Sequence, residues 1–93
     1  MPSCKVELLG SLGGITDLSN IEVDLDQGTG LGDLIAKLRQ EAPSLEGPVF
    51  VPGENRLTRH YVFNINGRFY MNDSKIQIQS SDRILLLPFP IGG

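Results

Sequence analysis

Four consecutive apolar residues occupy positions 84–87, and a proline follows them at position 88. An unbroken apolar run is typical of a strand that is buried on both faces and lies centrally in its sheet, because a half-exposed strand alternates apolar and polar residues. Pro88 ends this strand, since proline cannot donate a hydrogen bond to a strand ladder. The rest of the 93-residue chain must therefore provide strands on both sides of the run, which limits the folds open to it.

Other segments supply those neighbouring strands. Ile21, Val23 and Leu25 alternate with acidic residues, and this period-two pattern predicts a half-buried strand. Asn66-Gly67 predicts a tight turn, because both residue types tolerate positive φ. Strands are predicted near 4–10, 20–26, 61–66 and 83–88, with a short returning strand over 68–71, and the first two strands are expected to form a hairpin.

The clearest helical pattern lies at residues 31–41, where apolar residues recur at the i, i+3, i+4 and i+7 positions of one stripe. Thr29 or Gly30 can cap the start of this helix. Pro43 ends it, because the residue before a proline is biased away from helical dihedrals. Residues 44–60 are rich in proline and glycine, and we expect a loop there with at most one brief strand.

The order strand, strand, helix, strand, short pieces, buried strand predicts an α+β fold. One main helix should pack on one face of a mixed sheet of four to five strands, and the final strand should lie between the first and third, parallel to the first. This is the β-grasp arrangement of ubiquitin-like domains. Residues 1–87 are expected to form this domain. Residues 88–93 are expected to form a flexible, extended C-terminal tail that ends in Gly-Gly.

Charge and composition exclude several functional classes. The net charge is −3 and the eight Lys and Arg residues are scattered, which argues against binding to nucleic acid or to an anionic membrane. Cys4 is the only cysteine, so no internal disulfide can form. The apolar stretch near the N-terminus is too short for a signal peptide or a membrane span. We therefore expect a cytoplasmic protein.

The glycine-rich segments are weak candidates for phosphate binding. Gly28, Gly30 and Gly32 precede the helix, but Asp33 occupies the position where a dinucleotide-binding loop needs its third glycine, and its charge repels phosphate. The segment 10–14 lacks the Lys-Ser/Thr of a P-loop. We expect all of these to be turn glycines that need positive φ.

Other reactive side chains are better explained as structural. His60 is the only histidine, and no Cys/His cluster is present, so no metal site is predicted. Cys4 has no histidine near it in the sequence and is interpreted as a small apolar core residue. Glu22 and Asp24, with the nearby Asp26, are interpreted as a solvated strand face rather than paired catalytic carboxylates.

The tail offers the best chemistry in the sequence. Gly92 and Gly93 end the chain, and the residues before them are apolar or proline rather than polar. A C-terminal carboxylate is ionised at neutral pH and must be activated, for example as an acyl-adenylate, before a nucleophile can attack it. Glycines have no side chain, so they can pass through a narrow channel to an enclosed nucleotide.

The sequence resembles the MoaD/ThiS sulfur-carrier family, and in particular its MoaD type. The resemblance rests on the ending LLPFPIGG, the turn around Ser81, Asp82 and Arg83, the NGR of residues 66–68 and the helix start GLGDLIAKL at residues 30–38. It covers nearly the whole chain. MoaD-type tails often end FFPPVxGG, and this chain differs at positions 86, 87 and 89, which leaves its partner open. Thiamine-type carriers are usually shorter and lack the segment 44–60.

The resemblance implies a carrier that is not itself an enzyme. A ubiquitin-activating-like adenylating enzyme would use ATP to activate Gly93, and a persulfide donor would convert it to a thiocarboxylate, with no cofactor bound to the carrier. The tail would then enter the large subunit of molybdopterin synthase, or an equivalent sulfur acceptor. Gly92 would permit passage, and the docking residues would be Leu87, Pro88, Phe89, Pro90 and Ile91.

Two alternatives to the molybdopterin synthase subunit remain at this stage. The same chemistry could serve thiamine, tungsten cofactor, cysteine or thiolated tRNA, or it could attach the chain to lysines as a protein modifier. A β-grasp interaction module with no carboxylate chemistry is the third reading. The sequence does not separate the molybdopterin synthase subunit from a sulfur carrier of another pathway or a protein modifier, because all of them use the same tail.

Overall fold

The computed structural model of the chain describes residues 3–9, 16, 19–25, 29–70 and 76–88. The described residues form five strands, one α-helix and one short 3-10 helix. In chain order these are β1 Ser3–Leu8, β2 Asn20–Asp24, α1 Leu31–Glu41, the 3-10 helix Pro43–Leu45, β3 Tyr61–Ile65, β4 Arg68–Tyr70 and β5 Ile84–Pro88. The predicted strands and helix are all present, and α1 has the predicted bounds.

The five strands form one mixed sheet in the order β2-β1-β5-β3-β4. The first two strands pair antiparallel, as the hairpin prediction required. β5 runs parallel to β1 and antiparallel to β3, so the last strand lies between the first and the third. This confirms the α+β class and the β-grasp topology. No helix among the described residues combines the length and apolar character needed to cross a membrane.

The core lies between one face of the sheet and α1. Residues of alternate positions in β1, β2, β3 and β5 point to this inner face, and the apolar stripe of α1 covers them. The largest side chains with almost no exposed surface are Phe50, Phe63, Leu31, Leu34, Ile35, Leu38, Leu45, Ile84 and Leu86. Burying a Leu, Ile or Phe side chain contributes about 1.5–3 kcal/mol each, so this cluster is the main stabilising feature of the domain.

The start of α1 is satisfied by an acidic residue rather than by a side chain at the cap itself. Gly30 is the N-cap and its backbone N–H donates to Asp33 Oδ2 at 3.2 Å. This contact resembles one half of a capping box and places a negative charge at the positive end of the helix dipole.

The segment after α1 is more ordered than a plain loop. Besides the 3-10 helix it contains isolated bridges of Phe50 with Glu46 and with Leu57. Arg39 on α1 holds it in place: Nη1 donates to Asn55 Oδ1 at 2.7 Å, and Nη2 donates to backbone carbonyls of the same segment. Arg39 Nε also forms an ion pair with Glu46 Oε2 at 3.1 Å. A single, partly exposed arginine side chain therefore fixes the segment to the helix.

The glycine prediction is partly wrong. Gly30 has φ −99° and lies in extended backbone, and Gly32 lies within α1, so neither needs positive φ. Positive φ occurs instead at Gly47, Gly53 and Gly67 among the described glycines. The prediction failed because glycine at a helix N-cap is favoured without any need for a left-handed backbone. Gly28 and residues 10–14 lie outside the described residues.

The predicted Asn66-Gly67 turn is confirmed. Asn66 has φ 55° and Gly67 has φ 90°, the paired positive values that a tight hairpin turn between β3 and β4 requires. The Asn66 side chain also ties this turn to the start of β5. Its Nδ2 donates to Asp82 Oδ1 at 2.8 Å, and its Oδ1 accepts from the Arg83 backbone N–H at 2.9 Å.

β5 is central, as predicted, but it is not fully buried on both faces. Ile84 and Leu86 have no exposed surface, whereas Leu85 and Leu87 remain partly exposed on the face away from α1. The four-residue run was therefore a correct sign of a central strand and a wrong sign of a covered outer face. Pro88, assigned to the tail by its missing N–H, is the last residue of β5 and lies opposite Tyr61. Proline is tolerated there because a strand end leaves its N–H position without a required partner.

Candidate functional site at the end of strand β5

The residues predicted to act fall into two groups. Leu87 and Pro88 are the last described residues of the chain and end β5. The other predicted site residues lie outside the described residues; these are Phe89, Pro90, Ile91, Gly92 and Gly93. The structure therefore places the base of the tail, and the site can be built from what surrounds that base.

β5 carries the chain to the end of the sheet between two neighbours. On one side Leu87 pairs with Val62 and Pro88 with Tyr61 of β3. On the other side Leu86 pairs with Leu8 of β1, and the backbone N–H of Leu9 donates to the Leu86 carbonyl at 2.9 Å. The start of the tail is thus fixed by the central strand, and the five residues after Pro88 can span at most about 17 Å when extended.

An apolar patch lies beside this point on the outer face of the sheet. It is formed by Leu9, Val62, Phe69, Leu85 and Leu87, and we call it the outer-face patch. None of these residues belongs to the core cluster. Val62 is only 1% exposed, whereas Leu9 is 40% and Phe69 is 60% exposed. Exposed apolar side chains grouped on one face of a small domain are typical of a protein-binding surface.

The pairing register explains why these residues meet. Leu87 lies opposite Val62, and Leu85 lies opposite Asn64, which in turn lies opposite Phe69. Successive residues of a strand point to opposite faces, so these side chains share the face away from α1. The sequence prediction missed this patch, since 84–87 was assigned to burial on both faces. The sequence offered one sign of it, the aromatic residue at position 69 in the short strand after the turn.

The β1–β2 side of the outer face is polar. Glu22 and Asp24 are exposed on β2, as the solvated-face interpretation predicted, and Lys5 pairs with Glu22 across the strands. Asp26 lies outside the described residues. The outer face therefore changes from acidic at the edge strand to apolar around β5.

Cys4 is buried in the core at 4% exposure, in agreement with its structural interpretation. Burial raises the pKa of the Cys4 thiol above its ordinary value of 9.0, and the nearby Asp82 carboxylate raises it further. The thiolate, which is the nucleophilic form, is therefore disfavoured at neutral pH. Cys4 also lines a shallow cavity of about 380 Å³ at the end of the sheet where β5 begins, away from the tail.

A turn at residues 58–61 borders the base of the tail on the β3 side. The backbone N–H of Tyr61 donates to the Thr58 carbonyl at 3.3 Å, and Arg59 and His60 are the exposed residues between them. The sequence analysis considered His60 only as a metal ligand or a structural residue. Within the described residues, no three His, Cys, Asp or Glu side chains converge as metal ligands.

Comparison with known proteins gives one family and several structural neighbours. The sequence model of the ThiS family matches residues 6–93, which is nearly the whole chain. Small archaeal modifier protein 1 (SAMP1) from Haloferax volcanii is similar with a TM-score of 0.79 and 25% identity, over 98% of this chain and 99% of that chain. A comparison with curated protein sequences finds no match.

Two further structures share the fold at lower identity. SAMP1 from Methanosarcina acetivorans has a TM-score of 0.75 and 23% identity, and the match covers 100% of this chain and 98% of that chain. The Pyrococcus furiosus protein described as molybdopterin converting factor, subunit 1 has a TM-score of 0.69 and 15% identity, over 95% of this chain and 98% of that chain.

Proposed function

This chain belongs to the ThiS family of small ubiquitin-like carriers, and we propose that it carries sulfur on the carboxylate of Gly93. The observation that carries the proposal is the geometry of β5. This central strand delivers the chain to the end of the sheet at Pro88, directly beside the apolar outer-face patch. A partner that binds the patch would meet the base of the tail at the same time.

The chemistry proceeds at the carboxylate and not within the domain. A carboxylate oxygen of Gly93 attacks the α-phosphate of ATP on the adenylating enzyme, and pyrophosphate leaves. The terminal sulfur of a persulfide then attacks the acyl carbon and displaces AMP. A thiol cleaves the resulting S–S bond, so Gly93 retains one sulfur as a thiocarboxylate and the thiol ends as a disulfide. The adenylate is required because AMP is a far better leaving group than oxide.

The chain itself contributes positioning. The tail of five residues after Pro88 can reach at most about 17 Å from the sheet, far enough to enter a recessed site while the domain stays outside. Leu9, Leu87 and Phe69 supply apolar area for docking, and two glycines at the tip let the backbone pass where a side chain would collide.

We further propose the small subunit of molybdopterin synthase as the specific role. The support is the tail sequence LLPFPIGG together with the segment 44–60, which thiamine-type carriers usually lack. The sulfur acceptor would then be a pterin precursor bound to the large subunit. The test is reconstitution: thiocarboxylated protein mixed with a molybdopterin synthase large subunit and its pterin precursor should yield a dithiolene product. Failure with that subunit, combined with sulfur transfer in whole-cell extract, would assign the carrier to another pathway.

A second candidate is supported by the likeness to a protein named a modifier. SAMP1 from Haloferax volcanii is 25% identical over nearly the whole length of both chains. If this chain also modifies proteins, the Gly93 acyl group would pass to a lysine amine and form an amide, with AMP or a thiol leaving. Trypsin leaves a Gly-Gly remnant on a modified lysine only when an arginine or lysine comes directly before the two glycines. In this tail that residue is Ile91, so trypsin would not produce the remnant. An Ile91→Arg variant supplies that cleavage site.

Adenylation tests the shared first step. With the ubiquitin-activating-like enzyme of the same organism, the protein should stimulate ATP–pyrophosphate exchange, and a variant that lacks Gly93 should not. Cys4→Ala, a change in the core away from the tail, serves as the control and should stimulate exchange like the wild type. Equal exchange with and without Gly93 would remove the basis for the carrier function.

A further inference from the structure

The turn at residues 58–61 lies beside Pro88, the last described residue before the C-terminal tail. Tyr61 pairs with Pro88, so Arg59 and His60, the two residues before Tyr61, lie beside the base of the tail. We propose that Arg59 is a docking contact for an acidic rim around the opening through which the adenylating enzyme admits the tail. This inference rests on the proposed function and names the chemistry of the partner surface.

The turn is held in place by the segment before it. The Thr58 backbone N–H donates to the Val49 carbonyl at 2.8 Å, and Thr58 Oγ1 donates to the Pro48 carbonyl at 3.2 Å. Arg59 and His60 are not the residues that turns favour for conformational reasons, which are glycine, proline, asparagine, aspartate and serine. The turn therefore displays two side chains whose types its backbone does not require.

Charge pairing distinguishes Arg59 from most arginines of the chain. Three arginines have a carboxylate within ion-pair distance: Arg39 with Glu46 at 3.1 Å, Arg56 with Glu54 at 3.2 Å and Arg83 with Glu7 at 3.9 Å. Among the described residues, no carboxylate pairs with Arg59 or Arg68. On a protein with a net charge of −3, an exposed arginine at the tail base is a local positive site that favours an acidic partner surface.

Distance separates this contact from the chemistry. The five residues after Pro88 can extend about 17 Å into a partner site, whereas an arginine side chain on the sheet end is much shorter. The Arg59 guanidinium would therefore stay at the opening and contact protein carboxylates, while Gly93 reaches the nucleotide. Leu87 of the outer-face patch comes directly before Pro88 on β5, so the apolar patch and the turn that carries Arg59 lie side by side at the base of the tail.

The chain offers a matched control for this contact. Arg68 is also an exposed arginine without a described carboxylate partner, but it lies at the other end of the sheet. It pairs with Ile65, which pairs with Ile84, the first residue of β5. Arg59→Glu and Arg68→Glu change the net charge equally, so a difference between them reports position and not total charge.

Steady-state adenylation with the ubiquitin-activating-like enzyme of the same organism provides the test. Arg59→Glu should raise the KM for the carrier about five- to tenfold at low ionic strength with kcat unchanged, because a rim charge acts on encounter and docking. The effect should shrink to about twofold near 0.5 M salt. Arg68→Glu should change KM by less than about twofold, and far-UV circular dichroism should show both variants folded.

Three results would overturn the inference. Equal KM changes in the two variants would reduce the effect to net charge. A fall in kcat with KM unchanged would place Arg59 at the reacting carboxylate. An unchanged Arg59→Glu variant, with the wild type adenylated normally, would show that the turn makes no docking contact while the carrier function stands. If the wild type is not adenylated at all, the proposed function fails first and this inference falls with it.

Discussion

Leu86 and Leu87 are neighbours in β5, and truncating each to alanine separates folding from docking. Leu86 has no exposed surface and points into the core. Its truncation removes buried contacts and leaves a cavity, which costs about 2–5 kcal/mol. A domain of this size is stable by only about 5–15 kcal/mol. Leu86→Ala should therefore lower Tm by about 8–40 °C, at roughly 4–8 °C per kcal/mol.

Leu87→Ala should behave differently, because Leu87 is partly exposed on the outer face and its removal opens no enclosed cavity. The transfer of less than a full leucine side chain to water costs about 1 kcal/mol, which predicts a fall in Tm of about 4–8 °C. In the adenylation reaction, however, Leu87→Ala should raise the KM for the carrier about fivefold or more, because Leu87 is central in the outer-face patch.

Far-UV circular dichroism during urea and thermal unfolding is the stability assay, since the chain has no tryptophan for fluorescence. The KM measurement is made at a temperature where both variants are fully folded. Under those conditions Leu86→Ala should retain nearly the wild-type KM. The reasoning is refuted if Leu87→Ala destabilises as much as Leu86→Ala, or if Leu86→Ala raises KM and Leu87→Ala does not.

Three further predictions concern the domain itself. Asn66→Asp places a carboxylate beside Asp82 and should destabilise by about 1–3 kcal/mol, and Asp82→Asn added to it should restore stability; an unchanged double variant would contradict the assigned contact. Arg39→Ala should lower the free energy of unfolding by about 2 kcal/mol and speed proteolysis between residues 46 and 58. Loss of stability without faster cleavage there would show that Arg39 does not fix this segment to the helix. The pKa of the Cys4 thiol is raised in the folded protein, so the thiol's contribution to stability is complete below its ordinary pKa of 9.0 and is lost as pH rises through the folded pKa. Cys4→Ala should therefore show a smaller loss of stability at high pH, measured as the urea midpoint against pH. An identical slope in both proteins would exclude the thiol as the source of the loss.

The order of strands could be predicted from the sequence because one segment determined it. The apolar run that includes Leu86 required neighbours on both sides, and the alternation around Val23 supplied an edge hairpin. The helix followed from its apolar stripe, and the Asn66-Gly67 turn followed from the φ values that the two residues allow. These are local patterns with a single low-energy solution, and the structure agrees with each of them.

Features that depend on pairing register could not be predicted. Phe69 lies on the same face as Leu85 because both pair with Asn64, a relation that no local pattern reports. The same limit applies to the turn that holds Arg59 beside Pro88, since those positions are 29 apart in the printed sequence. The ordered structure of residues 44–60 was not predicted, because it depends on contacts of Arg39 with backbone carbonyl groups far along the chain, which composition does not encode.

Sulfur gain at Gly93 tests the central claim most directly. The protein is incubated with its adenylating enzyme, ATP and a persulfide donor in the presence of a thiol, and its intact mass and C-terminal peptide are measured by mass spectrometry. The account predicts one replacement of oxygen by sulfur, located at Gly93, absent after deletion of Gly93, weakened by Gly92→Ala and retained in Cys4→Ala. Sulfur found on Cys4, or equal gain in the protein without Gly93, would contradict it.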